Sequence, residues 1–328
     1  MSTRARVADY ANTVLLLCCF SFSLNANELP AFSVNGHYYD SLQVAFDALQ
    51  DGDTLRIAKG VHNQAGILRQ NNVTIIADKG AHLSKATVQG KAALVIKGNN
   101  TTIKGLECSG IRVAHKNGAC IRFEGDSILL ENVYFHDSQQ GILSGSGKGL
   151  FIIENSRFER LGYDTGQSHG IYIGAGELYI KNSVFLASKE EGHEIKSRAD
   201  KTHIENTIIS SAGSVDSRLV DVPNGGVLVI RNSVLHQGPE SSNRDLISFG
   251  VEGVKRKTNS IEIVDNLILM ERGVNQLVNI RNVDVDPVIQ RNVIVGRGLV
   301  DWSDGNITYN DRDEIGLKPY PYLPEIPK

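Results

Sequence analysis

Leu178-Tyr179-Ile180-Lys181-Asn182 is one of seven segments along the chain in which alternating apolar residues end at an asparagine. A repeat of about 25 residues that contains short strands is typical of one coil of a parallel β-helix. Asparagine suits the turn after each strand, because it tolerates left-handed backbone and hydrogen-bonds its own backbone. Since one coil buries too little apolar surface to fold alone, the pattern predicts coils that stack. The asparagines that end the segments lie 23 to 34 residues apart: Asn132, Asn155, Asn182, Asn206, Asn232, Asn266 and Asn292.

A second set of strands runs out of phase with the first and supplies its own row of inward apolar residues. Successive side chains of a strand point to opposite faces, so the residues on either side of each inward one should point outward. Helical periods between the strands, which a βαβ protein requires, are lacking after residue 50. We therefore predict an all-β fold, a single-stranded right-handed parallel β-helix of about eight to ten coils. The expected inward residues are Ile121, Ile142, Ile171, Ile195, Val220, Ile247 and Val278.

The ends of such a solenoid need covering, because an open coil leaves a sheet edge exposed. Residues 41–50 are predicted to form a helix that caps the N-terminal end of a domain spanning 27–310. The tail, 311–328, is rich in proline and is predicted to be extended along the surface or disordered, with a solvated charge run at 311–314. The helix would present four apolar residues on one face: Leu42, Ala45, Phe46 and Leu49.

The first 26 residues have the composition of a secretory signal peptide. Arg4 and Arg6 precede an apolar run that is too short to span a bilayer, and small residues lead to Ala26. We predict a signal peptide over 1–26, a periplasmic or secreted protein, and no stable membrane insertion after cleavage. A membrane anchor is the alternative. The formal net charge of -3 argues against general binding of nucleic acid, so a basic site for an acidic ligand must be local.

Two cysteines, Cys108 and Cys120, remain after the predicted signal peptide. Two cysteines do not make a disulfide framework, so they either pair or serve as small core residues. We favour core packing without a bond, because free cysteine is often fully buried.

These repeats make the chain similar to the pectate-lyase-like superfamily of right-handed parallel β-helices, over roughly residues 40–310. Residues 45–60 (AFDALQDGDTLRIAKG) look like the entry segment of those proteins. The superfamily includes lyases, hydrolases, epimerases and non-catalytic adhesins. The resemblance therefore implies a fold, and activity must be argued from a site.

Chemically active residues converge on consecutive coils of the second strand set, where adjacent strands lie about 4.8 Å apart. One predicted column follows the inward residues and contains Tyr172, Lys196 and Asp221. A second column lies two positions before the inward residues and contains His169, His193, Arg218 and Asp245. Two more residues are expected to flank the first column on the outer face: Glu194 and Arg198.

The run 192–198 (GHEIKSR) resembles the Glu-x-Ile-x-x-Lys-Ser strand of the chondroitinase B and alginate lyase family. This resemblance implies that Lys196 is a catalytic base and that Arg218, on the next coil, assists it. The sequence departs from the family pattern in two ways. Glu194 and Lys196 are closer together, and Arg218-Leu219-Val220 stands where the family has Arg-His-Gly.

These residue types suit β-elimination from a uronate, in which a base removes the proton beside a carboxylate and the 4-oxygen leaves. Lys196 would be the base, Arg198 and Arg218 would hold the carboxylate, and Tyr172 or His193 would exchange the second proton. Further residues are assigned to substrate binding: His169, Asp221 and Asp245. Carboxylate neutralisation needs no cofactor if arginine performs it. Calcium is the alternative, and Glu194 would bind that cation or orient the base.

The sequence thus predicts an exported polysaccharide lyase or C5-epimerase that acts on an acidic, uronate-containing polysaccharide. The alternative is a non-catalytic β-helix that binds carbohydrate or another surface. Each candidate residue also has a structural interpretation, such as a surface ion pair for Lys196 with Glu194. Hydrolysis ranks lower, because only Asp221 and Asp245 approach the aspartate cluster that hydrolases of this fold use.

Overall fold

The computed structural model describes residues 30–326, so the predicted signal segment lies outside the described residues. The chain winds into an all-β parallel solenoid of about nine coils, in which each coil adds one strand to each of three sheets. We name these sheets A, B and C, and the chain visits them in the order C, A, B within a coil. The predicted parallel β-helix is confirmed. Within 30–326, no helix is long and apolar enough to cross a membrane.

Three sheets contain all the strands of the described chain. Sheet A comprises Phe32–Val34, His37–Tyr39, Thr54–Ile57, Thr74–Ala77, Thr101–Lys104, Ile128–Glu131, Leu150–Glu154, Glu177–Lys181, Lys201–Glu205, Val227–Arg231, Ser260–Val264 and Val288–Gln290. Sheet B comprises Gly60–His62, Ala81–Ser84, Glu107–Ser109, Tyr134–His136, Arg157–Glu159, Val184–Leu186, Ile208–Ser210, Val234–Gln237, Leu267–Met270, Val293–Gly296 and Ile307–Tyr309. Sheet C comprises Gly66–Leu68, Ala92–Ile96, Ala119–Phe123, Gln140–Ser144, Ile171–Ile173, Ile195–Ser197, Val220–Val222, Asp245–Phe249 and Gln276–Ile280.

The asparagine turns after the sheet A strands differ between the middle and the end of the solenoid. Asn266 and Asn292 were predicted to occupy the left-handed position, and this is wrong for both. Asp265 and Arg291 hold it, with φ of 60° and 56°, while the two asparagines that follow are buried. There Asn266 Nδ2 donates to Asn292 Oδ1 at 2.9 Å, which links two coils from inside. The left-handed conformation is found as predicted, with φ between 48° and 56°, at Asn132, Asn155, Asn182, Asn206 and Asn232.

The register of sheet C follows its inward apolar residues as predicted. Ile171 pairs with Ile195, Ile195 pairs with Val220, and Val220 pairs with Ile247. All four are buried, and burying each such side chain contributes about 1.5–3 kcal/mol. A slip of one residue would turn every one of them to solvent, so this register is strongly specified.

The predicted alternation fails at the position just before each inward residue of sheet C. The pairing of neighbouring strands skips this position, since Ala119 pairs with Gln140 and Ile121 with Ile142, and nothing is paired between them. The backbone bends there, and two consecutive side chains point into the solenoid. The buried residues at this position are Cys120, Glu194, Leu219, Leu246 and Leu277.

Cys108 and Cys120 form a disulfide, so the expectation of unbonded core packing is wrong. Cys108 points inward from a sheet B strand, and Cys120 points inward from the bend of the sheet C strand that follows it. The bend turns the Cys120 side chain inward, where it meets the Cys108 side chain.

A short helix, Leu42–Ala48, lies over the first coil. Its N-terminus is capped by the Ser41 hydroxyl, which accepts a hydrogen bond from the Val44 N–H. The Phe46 ring packs closely against Gly66 of the first sheet C strand. The role of this helix as a cap stays a prediction.

The tail packs against the outer face of sheet B. Apolar tail side chains cover a buried cluster that contains Val234, Leu267 and Leu269. The charge run was predicted to be solvated, and this is wrong for Arg312, which is 5% exposed. The apolar tail residues involved are Ile315, Leu317, Leu323 and Ile326.

Candidate active site on sheet C

The predicted column of Tyr172, Lys196 and Asp221 runs up the outer face of sheet C. Tyr172 pairs with Lys196 and Lys196 pairs with Asp221 in the parallel register. Lys196 Nζ lies 3.2 Å from Asp221 Oδ2. The next coil adds Ser248, whose hydroxyl donates a hydrogen bond to Asp221 Oδ1. Parallel stacking thus brings together side chains that are about 25 residues apart in the sequence.

The two imidazoles of the second column are stacked. The rings of His169 and His193 lie 4.8 Å apart at an angle of 5°. The backbone N–H of His193 donates to His169 Nδ1, and the backbone N–H of Arg218 donates to His193 Nδ1, both at 3.2 Å. Each Nδ1 is therefore an acceptor, and in the neutral ring the proton sits on Nε2. Burial, with nearby cations, holds the pKa of both imidazoles well below the usual value, so both are neutral at neutral pH.

Asp221 joins the two columns. Its Oδ2 lies 3.4 Å from His193 Nε2 and 3.2 Å from the Lys196 ammonium. Asp221 is 1% exposed, so the side chains around it shield its carboxylate from solvent. The predicted direct role of Asp221 in substrate binding fits poorly with this burial. The geometry favours a carboxylate that positions Lys196 and His193.

Arg198 lies beside the first column, as predicted, and its guanidinium is fully engaged. Its Nε donates to Tyr172 Oη at 2.6 Å and one terminal nitrogen donates to Glu252 Oε2 at 2.6 Å. The other oxygen of Glu252 lies 3.2 Å from Lys196 Nζ. One carboxylate therefore bridges two cations of the predicted site.

The sequence prediction missed Glu252. The residue lies in the connection between the sheet C strand Asp245–Phe249 and the sheet A strand Ser260–Val264. A signal for this connection was present, because the spacing from Asn232 to Asn266 is 34 residues and is the longest of the repeat. The extra residues form a loop that folds back over sheet C, where the Glu252 N–H donates to a backbone carbonyl of the preceding coil.

The upper end of the site contains Arg218 and Asp245. An Arg218 terminal nitrogen lies 3.6 Å from Asp245 Oδ2, which also accepts from Asn279 Nδ2 at 2.7 Å. Arg218 Nε and Asp245 Oδ1 are buried and lack a hydrogen-bond partner among the described residues. Buried polar atoms normally have partners, so these two atoms are exceptions at the upper end of the site.

Glu194 does not join the outer face, and its predicted placement beside Lys196 is wrong. Its carboxylate is buried at the bend and accepts hydrogen bonds from the N–H and hydroxyl of Ser188, at 2.6 and 2.8 Å. From there it cannot orient Lys196 or bridge a cation to a ligand on the outer face. Burial and the neighbouring Asp216 raise the pKa of Glu194 well above its usual value.

Asp216 makes the stability of this coil depend on pH. Burial raises its pKa from 3.8 to about 7. The folded state therefore binds more protons than the unfolded state in this interval, and the free energy of unfolding falls as pH rises through it. We expect Asp216→Asn to lessen this decline, so the variant gains stability relative to wild type as pH rises from about 4 to about 7.

Urea unfolding of both proteins across this pH range measures the effect. Asp200→Asn is a matched control, since the Asp200 side chain is 63% exposed and should leave the pH profile unchanged. Parallel stability curves for wild type and Asp216→Asn would contradict the assignment.

The three stacked sheets make this chain a parallel β-helix, and its fold is similar to that of two solved structures. An alginate lyase from Paenibacillus sp. str. FPU-7 superposes with a TM-score of 0.55 at 17% identity, covering 82% of this chain and 94% of that one. The pectate lyase Pel9A superposes with a TM-score of 0.52 at 14% identity, covering 82% and 71%. No protein-family profile and no curated sequence matches this chain. At these identities the likeness establishes the fold.

Proposed function

We propose that this protein is an exported lyase that cleaves an acidic, uronate-containing polysaccharide by β-elimination at the sheet C site. The observation that carries the proposal is the Glu252 carboxylate, which bridges Lys196 and Arg198. A pair of cations that binds this internal carboxylate has the chemistry to bind the carboxylate of a uronate. The similar folds of an alginate lyase and a pectate lyase support the same class of substrate.

The elimination is assigned to residues of the two columns. The substrate carboxylate displaces Glu252 from Arg198, and Arg218 on the next coil adds positive charge. Neutralising this carboxylate makes the proton on C5 more acidic. Lys196, released from Glu252, first loses a proton to solvent, and its neutral amine then takes the C5 proton while the C4–C5 double bond forms and the bond to the 4-oxygen breaks. Tyr172 donates a proton to the leaving oxygen, since its hydroxyl accepts from Arg198 and its own proton is free.

His193 is less suited to be the proton donor. Its Nδ1 accepts a backbone hydrogen bond and its Nε2 faces Asp221, so both ring nitrogens are engaged within the protein. Its proposed role is to hold Asp221, which in turn holds Lys196. An epimerase would use the same groups, with reprotonation of C5 from the opposite face.

A panel of acidic polysaccharides tests the proposal. Elimination produces an unsaturated uronate, which is followed by its ultraviolet absorbance, while incubation in D2O reports proton exchange at C5. Unsaturated product supports a lyase, and exchange without product supports an epimerase. If alginate, pectate and glycosaminoglycans give neither unsaturated product nor proton exchange, both activities are excluded.

A non-catalytic carbohydrate-binding protein is the second candidate. One observation favours it, because Lys196 is only 12% exposed and is held in two ion pairs. This candidate predicts polysaccharide binding without product, and it predicts that Lys196→Ala leaves the affinity nearly unchanged. Titration calorimetry beside the activity assay distinguishes the two.

Replacing Glu252 is expected to improve substrate binding. In Glu252→Gln the charged competitor for Lys196 and Arg198 is gone, while the shape of the loop is kept. A partly exposed ion pair is worth up to about 1 kcal/mol, so we expect KM to fall about fivefold with kcat nearly unchanged. Steady-state kinetics of the two proteins measures this.

Glu262→Gln is the matched control for this variant. Glu262 pairs with Arg231 on sheet A, away from the site, so its loss should leave KM unchanged. An unchanged or higher KM for Glu252→Gln would argue against the step in which the substrate carboxylate displaces the Glu252 carboxylate.

A further inference from the structure

A second cluster of titratable side chains lies on the outer face of sheet B. His82, Glu107 and His136 come from three consecutive strands of that sheet. Glu107 Oε1 lies 3.5 Å from His82 Nδ1 and 3.2 Å from His136 Nε2. Among the described residues, this is the group whose ligand atoms all lie within 4.8 Å of one another. None of the three takes part in the sheet C site.

Each imidazole of the cluster is oriented by an oxygen on its other nitrogen. His82 Nε2 contacts Ser109 Oγ at 2.8 Å, and His136 Nδ1 contacts Asp137 Oδ2 at 2.7 Å. The remaining nitrogen of each ring therefore faces Glu107. Metal-binding histidines almost always have such a partner on the nitrogen that does not bind the metal.

The surroundings of the cluster are rigid and partly shielded from water. The side chains of His82 and His136 are only 16% and 14% exposed. Cys108, which follows Glu107, is fixed by its disulfide. Arg160 donates to both oxygens of Asp137 and pairs its charge with that carboxylate. Asp137 is thus a fixed anion behind one of the imidazoles.

We propose that His82, Glu107 and His136 bind one divalent transition-metal ion of the Zn²⁺ class. Two imidazole nitrogens and one carboxylate oxygen suit Zn²⁺, whereas Ca²⁺ and Mg²⁺ require mostly oxygen ligands. Three protein ligands leave one tetrahedral position for water or a ligand oxygen. The ion would join three coils of the solenoid.

Isothermal titration of the untagged, chelator-treated protein with Zn²⁺ tests the proposal. We expect one Zn²⁺ per chain and no competition by Ca²⁺. Glu107→Gln keeps the side-chain shape and removes a ligand charge, and it should weaken binding at least about 10-fold. Asp137→Asn, which alters the partner of His136 and leaves all three ligands in place, should weaken binding by about 10- to 100-fold. His203→Ala is the control, since His203 lies on sheet A beside Tyr179.

Visible absorption of the Co²⁺-loaded protein gives a second measurement that does not rely on affinity. A four-coordinate spectrum is expected for wild type and His203→Ala, and its loss is expected for His136→Ala. Circular dichroism confirms the fold of each variant, and Asp137→Asn covers the case in which a ligand variant fails to fold. Absence of stoichiometric Zn²⁺ binding in wild type would overturn the proposal. Equal binding by Glu107→Gln, Asp137→Asn and wild type would overturn it as well.

Discussion

Lys196→Arg is expected to reduce turnover of the acidic polysaccharide by about 10²- to 10⁴-fold, the usual contribution of a general base. Arginine keeps the positive charge that faces Asp221 and Glu252, so the ion pairs at 3.2 Å retain a cation. Its guanidinium does not release a proton under these conditions and cannot act as a base. The variant therefore separates catalysis from the electrostatic role. Initial rates of formation of unsaturated product measure the effect.

Two further variants make this test specific. Lys196→Ala should lose activity to the same degree, but it also leaves the buried Asp221 without its ammonium partner and should be less stable. Lys201→Arg is the matched control, because Lys201 lies on sheet A with its Nζ 4.9 Å from the Tyr179 ring centre. Wild-type rates in Lys196→Arg, with the fold intact, would remove Lys196 from the role of base. If the wild type binds the polysaccharide but forms no product, the result favours a non-catalytic carbohydrate-binding protein.

The fold and the columns of sheet C were predictable because they depend on one strong regularity. A strand of a solenoid must keep its apolar residues inside, and this requirement sets the register of every neighbouring coil. Once Ile171, Ile195 and Val220 are aligned, the outward residues that follow them are aligned as well. The sequence therefore places Lys196 between Tyr172 and Asp221 without knowledge of any loop.

The parts that were missed depend on bends and loops, for which the repeat gives no rule. Glu194 lies at a bend where two consecutive side chains turn inward, so strict alternation placed it on the wrong face. Glu252 reaches the site from an insertion whose path depends on its own backbone hydrogen bonds. Two cysteines alone did not distinguish a disulfide from unbonded core packing, and the bond between Cys108 and Cys120 depends on the same bend, which turns Cys120 inward.

The sheet B cluster shows a different limit of sequence reasoning. His82, Glu107 and His136 are separated by 25 and 29 residues, so they form no local motif with metal-ligand spacing. Their proximity requires the register of sheet B, and that third set of strands carried no repeated signature as clear as the asparagine turns. Two histidines among nine have no significance in the sequence until the coils are stacked.

Arg312→Ala is expected to destabilise the C-terminal coils by about 3–5 kcal/mol, the cost of breaking a buried ion pair. The Arg312 guanidinium binds Glu271 and the carbonyl oxygens of Lys318 and Tyr322, the latter two at 2.9 and 2.6 Å. His236, which is fully buried, contacts Glu271 Oε2 at 2.7 Å, the oxygen that also accepts from Arg312. Burial raises the pKa of the Glu271 carboxyl, but the hydrogen bonds and charges of His236 and Arg312 outweigh this effect and hold that pKa at about 2. Removing Arg312 leaves a buried carboxylate without its main cation.

Arg291→Ala is the control that separates a buried arginine from an exposed one. Arg291 also binds a carboxylate, that of Asp265 at 2.8 Å, but its side chain is 62% exposed, and such a pair is worth at most about 1 kcal/mol. Urea unfolding compares the two variants, and limited proteolysis reports whether the tail has left sheet B. Equal stability losses would mean that Arg312 gains nothing from burial. A large loss for Arg312→Ala alone, with early cleavage after residue 312, is the result expected if this one side chain holds the tail against the solenoid.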